Sequence, residues 1–148
     1  MPATMTTARH RNEPFPAASG DYLETPVRDF MTPGVLTIAE DASLRQVYRA
    51  MVAHSVHAVL VVGRTEGRAL GWVTSRGLLA WVGRDQGLAS AREAITERPI
   101  TIEPGATARD ALTALSQVGT SHLLVARRSD VIPEGVVSEL DIVALEGA

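Results

Sequence analysis

The chain contains no cysteine and no lysine; all fourteen of its basic residues are arginine. The first absence removes disulfides, thiolate metal sites and thiol nucleophiles together, and it fits a reducing compartment. The second removes any phosphate-loop or Schiff-base lysine. Long apolar runs are missing too: stretches such as AVLVV at 58–62 fall far short of the roughly 20 residues that cross a bilayer, and the N-terminus has no apolar signal-peptide region. Neither sign of charge dominates, with a formal net charge of −3 and a sequence pI near 5.8, so there is no polycationic field to hold nucleic acid or an acidic membrane. There is no G-x-S-x-G elbow, no Walker sequence, no apparent pair of buried acids and no histidine–acid pair at a metal-ligand spacing. These absences predict a cytoplasmic binding protein that is not an enzyme and has no obligatory cofactor or metal. Membrane partners are excluded and nucleic acid is disfavoured.

What is present is a repeat. At 148 residues and 45% hydrophobic content the chain can form one compact domain, or two small halves that share a core. Laying Gly71 on Gly135, an offset of 135 − 71 = 64, also pairs Arg28 with Arg92, Thr32 with Thr96, Thr37 with Thr101, Ile38 with Ile102, Arg45 with Arg109 and Val73 with Val137, without a gap. The periodicity repeats as well as the letters. Leu44, Val47, Tyr48 and Met51 fall at i, i+3, i+4, i+7, and Ala108, Ala111, Leu112 and Leu115 follow the same spacing, so each half holds one amphipathic helix. Ser43 with Gln46, Thr107 with Asp110, and Ser90 with Glu93 form capping-box pairs.

Short β-prone stretches precede and follow these helices: VLTI at 35–38 and ITI at 100–102 before, AVLVV at 58–62 and LLVA at 123–126 after. A polar loop, a further short strand (70–73, 135–137) and a second helix complete each unit. The predicted architecture is α+β, a β-α-β-β-α unit written twice with pseudo-two-fold symmetry. Residues 1–24 are expected as a flexible tail, 25–85 as the first repeat and 86–148 as the second, with GRDQG at 83–87 as the connector.

Each half opens with Met31-Thr32 or Ile95-Thr96 and closes with GWVTSRG (71–77) or GVVSELD (135–141). In the order of these signals the chain resembles a stand-alone tandem cystathionine β-synthase (CBS) domain pair, the Bateman module, over about residues 25–146. The resemblance implies two halves packed through their sheets with two clefts between them. It implies that the clefts take an adenosine-containing ligand such as AMP, ADP, ATP or S-adenosylmethionine, and that such pairs form homodimers.

Ser138 and Asp141 carry the site expectation. Ser138 stands at the predicted N-cap of the last helix, where its hydroxyl and the free amides of the first turn suit a phosphate. Asp141, three residues on, can accept from both hydroxyls of a ribose. The resemblance assigns the same roles, phosphate to the hydroxyl and ribose to the acid. The bland alternative is that S-x-x-D is an ordinary capping box that needs no ligand. In the first half Thr74 keeps the hydroxyl, whereas Gly77 replaces the acid, which points to a dead or altered site. The resemblance further places the adenine against Thr96, Ile100, Thr101 and Ile102, with Val137 opposite, although core packing explains these apolar residues equally well. His54, His122 and Arg76 are candidate phosphate contacts, with helix-end and surface roles as the alternative.

The functional expectation is a regulatory sensor that binds an adenosine ligand between its halves and signals to an effector protein, whose identity the sequence leaves open. The rival is a ligand-free dimerisation module built on the apolar terminal helix of the first half, with Leu78 and Val82 inward and Trp81 outward.

Overall fold

Two 11-residue helices, α1 (Leu44–His54) and α3 (Ala108–Val118), are the organising elements of the two halves. Each starts at the predicted capping box: Gln46 N–H donates to Ser43 Oγ (3.2 Å) and Ser43 N–H to Gln46 Oε1 (2.8 Å), and Thr107 and Asp110 do the same in the second half. Each buries the predicted stripe, Leu44, Val47 and Met51 in one and Ala108, Ala111 and Leu115 in the other. Each ends on a left-handed residue, Ser55 (φ 53°) and Gly119 (φ 79°), which are equivalent under the repeat. The structure, a computed structural model, describes residues 21–65, 67–84, 88–127 and 133–147.

The strands are β1 (Thr32–Pro33), β2 (Thr37–Ala39), β3 (Ala58–Val62), β4 (Ala69–Thr74), β5 (Thr101–Ile102), β6 (His122–Val125) and β7 (Gly135–Ser138). The short helices α2 (Ser75–Leu78) and α4 (Glu139–Glu146) follow β4 and β7. One sheet has the order β2-β3-β4, the other β1-β7-β6-β5. In each, the strand after the long helix pairs parallel with the strand before it and antiparallel with the next, as the β-α-β-β-α reading requires. The sheets meet through Leu60, Trp72 and Leu124, all at most 2% exposed, with Val35, Ala58 and Val136 packed around them. The mixed helix-and-sheet architecture and the packing of two repeats through their sheets are as expected.

The lead-in segments depart from a simple side-by-side pair, because each crosses to the opposite half. β1 pairs with β7, and Val27 is fully buried in the core formed by Ala111, Leu123, Val125 and Val137. In return Ala91 and Ala94, on a 3-10 turn capped by Ser90 and Glu93, lie in the core of Val47, Val59 and Val73. The bonds that pin the two crossings are equivalent under the 64-residue offset. Val27 N–H donates to Ala106 O (2.7 Å) and Ala91 N–H to Ala42 O (2.8 Å); Ala108 N–H donates to Thr25 O (2.8 Å) and Leu44 N–H to Ala89 O (3.3 Å).

Gly71 and Gly135 make these crossings possible. A Cβ on Gly71 would stand 2.4 Å from Ile95 Cγ2 and 2.8 Å from Glu97 O, and one on Gly135 would stand 2.5 Å from Thr32 O and 2.7 Å from Met31 Sδ. The glycine that opens each repeated heptapeptide is therefore a point of close backbone approach.

Two details differ from the sequence reading, and part of a third expectation lies outside the described residues. Residues Asp21–Glu24, assigned to the tail, form a 3-10 turn at which Tyr22 hydrogen-bonds to Glu146 and Glu24 pairs with Arg109 (3.1 Å); residues 1–20 lie outside the described residues. Most of the GRDQG connector, residues 85–87, also lies outside them. In the terminal helix of the first half, Leu78 is buried as expected, but Val82 is 63% exposed while Trp81 packs against the core. The cause is that α2 runs for a single α-turn and continues as a 3-10 turn (Leu79–Trp81), which changes the angular step between residues and breaks the i, i+4 register.

Candidate functional site

The exchange of lead-in segments builds two related hollows between the halves. The first, of about 350 Å³, is bounded by the chain from Thr32 to Leu36, by His57 and Ala58, by Trp72, and by His122, Ser138 and Asp141. The second, of about 460 Å³, is bounded by Thr74, Arg76 and Gly77, by Thr96 and Glu97, and by His57, Ser121 and His122. Thr32 and Asp141 in the first correspond to Thr96 and Gly77 in the second, each pair bringing the lead-in of one half to the last helix of the other.

In the first hollow Asp141 is held from two directions. Its Oδ2 accepts from Ser138 N–H (2.8 Å) and from Ser138 Oγ (3.2 Å), while Asp141 N–H donates back to Ser138 Oγ (3.3 Å), so the predicted capping box is present. Its Oδ1 lies 3.5 Å from Thr32 Oγ1, at the long limit of a hydrogen bond, and remains able to accept from a guest. No arginine pairs with this carboxylate among the described residues.

The amides of this first turn are less open than the sequence implied. Ser138 N–H and Asp141 N–H serve the capping box, and Glu139 N–H donates to Ser121 O (3.2 Å). A carboxylate of the chain itself therefore shares the positive end of α4 with whatever binds there.

Trp72 forms part of the wall, with its ring tilted 35° to that of His122 at a centroid distance of 5.1 Å. Its indole N–H is buried without a partner. His122 is half-buried, and its ring lies against Ser121 Oγ (2.7 Å from Nδ1), which also donates to Glu97. Burial lowers the His122 pKa below the ordinary imidazole value, and the carboxylates of Glu97, Glu139 and Asp141 oppose that shift.

The second hollow has a different chemistry. Thr74 caps α2 by accepting from Gly77 N–H (3.0 Å), but position 77 offers no carboxylate. A Cβ there would stand 2.9 Å from Thr96 Cγ2, so the Thr96 methyl group occupies the space that an acid would need. Glu97 takes the place that Pro33 has in the first hollow. Its carboxylate accepts from Thr120 Oγ1 (2.9 Å), from Ser121 N–H (3.3 Å) and from Ser121 Oγ.

Of the residues singled out in the sequence, Asp141, Ser138 and His122 thus line one hollow, and Thr74, Arg76, Thr96 and again His122 line the other. Ile100 borders, with Thr96, a smaller recess of about 310 Å³ beside Gly119. Thr101 and Ile102 form β5 at the edge of its sheet, and Val137 is fully buried in the core of the second half. His54 lies at the exposed end of α1 with Nδ1 3.0 Å from Ala50 O, and lines neither hollow. The wall beside Asp141 comes instead from Thr32, Val35, Leu36, His57 and Trp72, which the sequence reading did not assign to it. The available signal was the offset itself, which makes Thr32 the partner of Thr96; the crossing of the lead-ins was not visible in the pattern. Among the described residues no group of three or more His, Cys, Asp or Glu could hold a metal ion, and no helix is long and apolar enough to cross a membrane.

Comparison with curated proteins gave no match. Among solved structures the chain is similar to the CBS domain of the bacterial CNNM/CorC family Mg2+ transporter in complex with ATP, with 21% identity over 87% of this chain and 92% of that one and a TM-score of 0.75. It is similar to the CBS domain of a CBS domain-containing membrane protein from Sphaerobacter thermophilus (20% identity, 96% and 97% covered, TM-score 0.76) and to CBSX2 in complex with AMP (20%, 82% and 96%, TM-score 0.67). At such identities the likeness speaks for the fold. The family model described as the CBS domain matches residues 27–84 and again 91–146. Together with the duplicated unit, this double match shows that the chain belongs to the CBS domain family, as a tandem pair.

Proposed function

We propose that this chain is a regulatory sensor that binds an adenosine-containing ligand, of the class of AMP, ADP, ATP or S-adenosylmethionine, in the hollow at Asp141 and passes the event to an effector protein by a change of shape. The reading is carried by one observation: a carboxylate whose Oδ1 has only one long contact, to Thr32 Oγ1, lines a largely apolar hollow whose walls come from both halves. The carboxylate suits a ribose diol and the wall of Val35, Leu36 and Trp72 suits a base. Because Thr32, His57 and Trp72 come from one half and His122 and Asp141 from the other, a ligand favours whichever relative arrangement of the halves fits it best. That difference in affinity is what can bias a partner. The reading is of a binding module and not of a catalyst, and it is supported by the ATP and AMP complexes among the similar structures.

The test is thermal denaturation with each of the four ligands, on the wild type and on Thr32→Val and Asp141→Ala. A bound ligand stabilises the folded state by RT ln(1 + [L]/Kd) and so raises the midpoint. A rise in the wild type that Asp141→Ala removes and Thr32→Val reduces is the expected result. No rise with any ligand would sink the reading.

A specific surface favours the rival of a dimerisation module. Tyr48, Met51, Val52, Leu79 and Val82 line an apolar groove of about 280 Å³ on the first half, with Val52 80% and Leu79 67% exposed and the Tyr48 hydroxyl buried without a partner. Sedimentation of wild type and Leu79→Glu separates the two readings: a homodimer that the substitution dissociates, with no ligand response, supports the module. The two roles are compatible if both responses are seen.

A further inference from the structure

Sorted by what they pack against, the segments form two bodies, each completed by the other half's lead-in. One holds β2, β3, β4, α1 and α2 with the second lead-in (residues 91–97) laid on it; the other holds β1, β5, β6, β7, α3 and α4 with the first lead-in (residues 21–33). The bodies meet through the apolar contact of Leu60 and Trp72 with Leu124. Such contact is non-directional, so it holds two faces together without fixing the angle between them. The buried Trp72 indole N–H has no partner that would fix it either. Among the described residues, the hydrogen bonds that run from one body to the other are those of Glu97. Its backbone belongs to the first body, where Glu97 O accepts from Trp72 N–H (2.9 Å) and Thr96 N–H donates to Trp72 O (3.0 Å). Its carboxylate reaches the second, where Oε1 accepts from Thr120 Oγ1 (2.9 Å), Ser121 N–H (3.3 Å) and Ser121 Oγ (3.2 Å), and Oε2 from Ser121 Oγ (3.1 Å). These bonds depend on direction as well as distance, so they resist a change of angle.

The opposite edge has no such pin. Under the 64-residue offset Pro33, Val56 and His57 stand where Glu97, Thr120 and Ser121 stand, and neither Pro33 nor Val56 has a polar side chain with which to form it. The two places where the chain passes between the bodies differ in the same sense. At the Asp141 edge it passes through Gly34, which is left-handed (φ 75°) with nothing within 4 Å of where a Cβ would stand, so no side chain restrains it. At the Glu97 edge it passes through Arg98 and Pro99, the equivalents of Gly34 and Val35, where the proline ring fixes its own φ and restricts the residue before it.

We propose that the chain carries a one-sided hinge: the two bodies turn about the edge at Glu97 and Pro99, so that the Asp141 hollow widens and narrows while the Glu97 hollow keeps its form. Glu97 is the pin and Gly34 the joint that absorbs the turn. Two identical units would open alike at both edges; the differences between Pro33 and Glu97 and between Gly34 and Arg98 make the movement unequal. The device needs no ligand and its test contains none, so the outcome leaves the binding reading untouched.

Because the chain has no cysteine, pairs of spin labels can be attached at introduced cysteines alone. His54→Cys with Leu140→Cys places one label on each body beside the Asp141 hollow, and Val118→Cys with Arg76→Cys is the same pair under the offset, beside the Glu97 hollow; all four positions are exposed. Double electron–electron resonance on the full chain, diluted with unlabelled chain so that only distances within one molecule are read, should give a distribution about twofold wider for the first pair than for the second. Glu97→Ala should widen the second to match the first, whereas Glu97→Gln, which keeps the accepting Oε1, should leave it narrow. Thr120→Val with Ser121→Ala, which leaves Glu97 in place, should widen it as Glu97→Ala does, so the result does not hang on the folding of one variant. Equal widths for the two pairs, or a second pair that stays narrow when either Glu97 or its two partners are removed, overturns the proposal. So does widening in Glu97→Gln equal to that in Glu97→Ala, since the accepting oxygen would then not be what holds the edge.

Discussion

Thr32 and Asp141 are separated by 109 positions in the chain, and Thr32 Oγ1 stands 3.5 Å from Asp141 Oδ1. The contact exists because the first lead-in lies on the second half's sheet, with Thr32 opposite Val136. Asp141 therefore has two roles that substitution separates. Asp141→Ala removes the carboxylate that closes the capping box and should cost about 1 kcal/mol in urea unfolding. Asp141→Asn keeps an oxygen for the cap but loses the charge, so it should retain most of that stability while weakening any diol binding.

The two crossing glycines should be intolerant of a single methyl group. Gly135→Ala meets the Thr32 backbone carbonyl and Gly71→Ala meets Ile95 and the Glu97 carbonyl, neither of which can move without shifting a lead-in. Each should destabilise by about 2 kcal/mol or more, as a lowered denaturant midpoint. A loss below about 0.5 kcal/mol at both positions would show that the crossings yield easily.

Restoring an acid to the first half should not be a free change. Gly77→Asp places its Cβ against the Thr96 methyl group, and should cost about 1–2 kcal/mol. Thr96→Ala removes that methyl, so the double variant should recover most of the loss. A double-mutant cycle measures the coupling directly, and additive losses would refute the steric account.

The lowered His122 pKa has a defined sign. The unfolded chain binds a proton at His122 more readily than the folded one, so this group contributes stability that is fully present above the unfolded value of about 6.5 and is lost as pH falls through the folded value. Between about pH 7 and pH 5 the wild type should lose more stability than His122→Gln, whose curve lacks this component. Equal slopes would remove His122 as the origin.

Ser55 ends α1 in the left-handed conformation that Gly119 adopts at the equivalent end of α3. A non-glycine residue is strained there, so Ser55→Gly should stabilise the protein by about 1 kcal/mol by thermal denaturation. The equivalent exchange Gly119→Ser should destabilise it by a similar amount.

Much of the local structure was legible because it rests on near-neighbour chemistry. The stripes of α1 and α3, the capping boxes and AVLVV at 58–62 as β3 follow from spacing within a dozen residues, and the 64-residue offset exposed the duplication. The capping box of Ser138 and Asp141 was legible for the same reason, since it is a local signal. The wall facing Asp141 was not, because Thr32, Leu36 and Trp72 reach it only through the exchange of lead-ins, a long-range pairing that no periodicity encodes. The amides expected open at α4 are partly taken for a related reason: Ser121, in the turn before β6, satisfies Glu139 N–H. Position 77 was read correctly as lacking the acid, but its steric cause, Thr96, again lies across the exchange.

The crossed lead-ins make each half depend on the other. A lone copy of this unit would leave the hollow filled by Val27 or Ala91 bare, and the natural way to cover it is to borrow the same segment from a second copy. Within the tandem chain the two units supply these segments to each other, so each half's core is completed by the other's lead-in. Pro33 and Glu97, equivalent under the 64-residue offset, mark where the two completed hollows part in chemistry, one bordered by an imino ring and the other by a carboxylate.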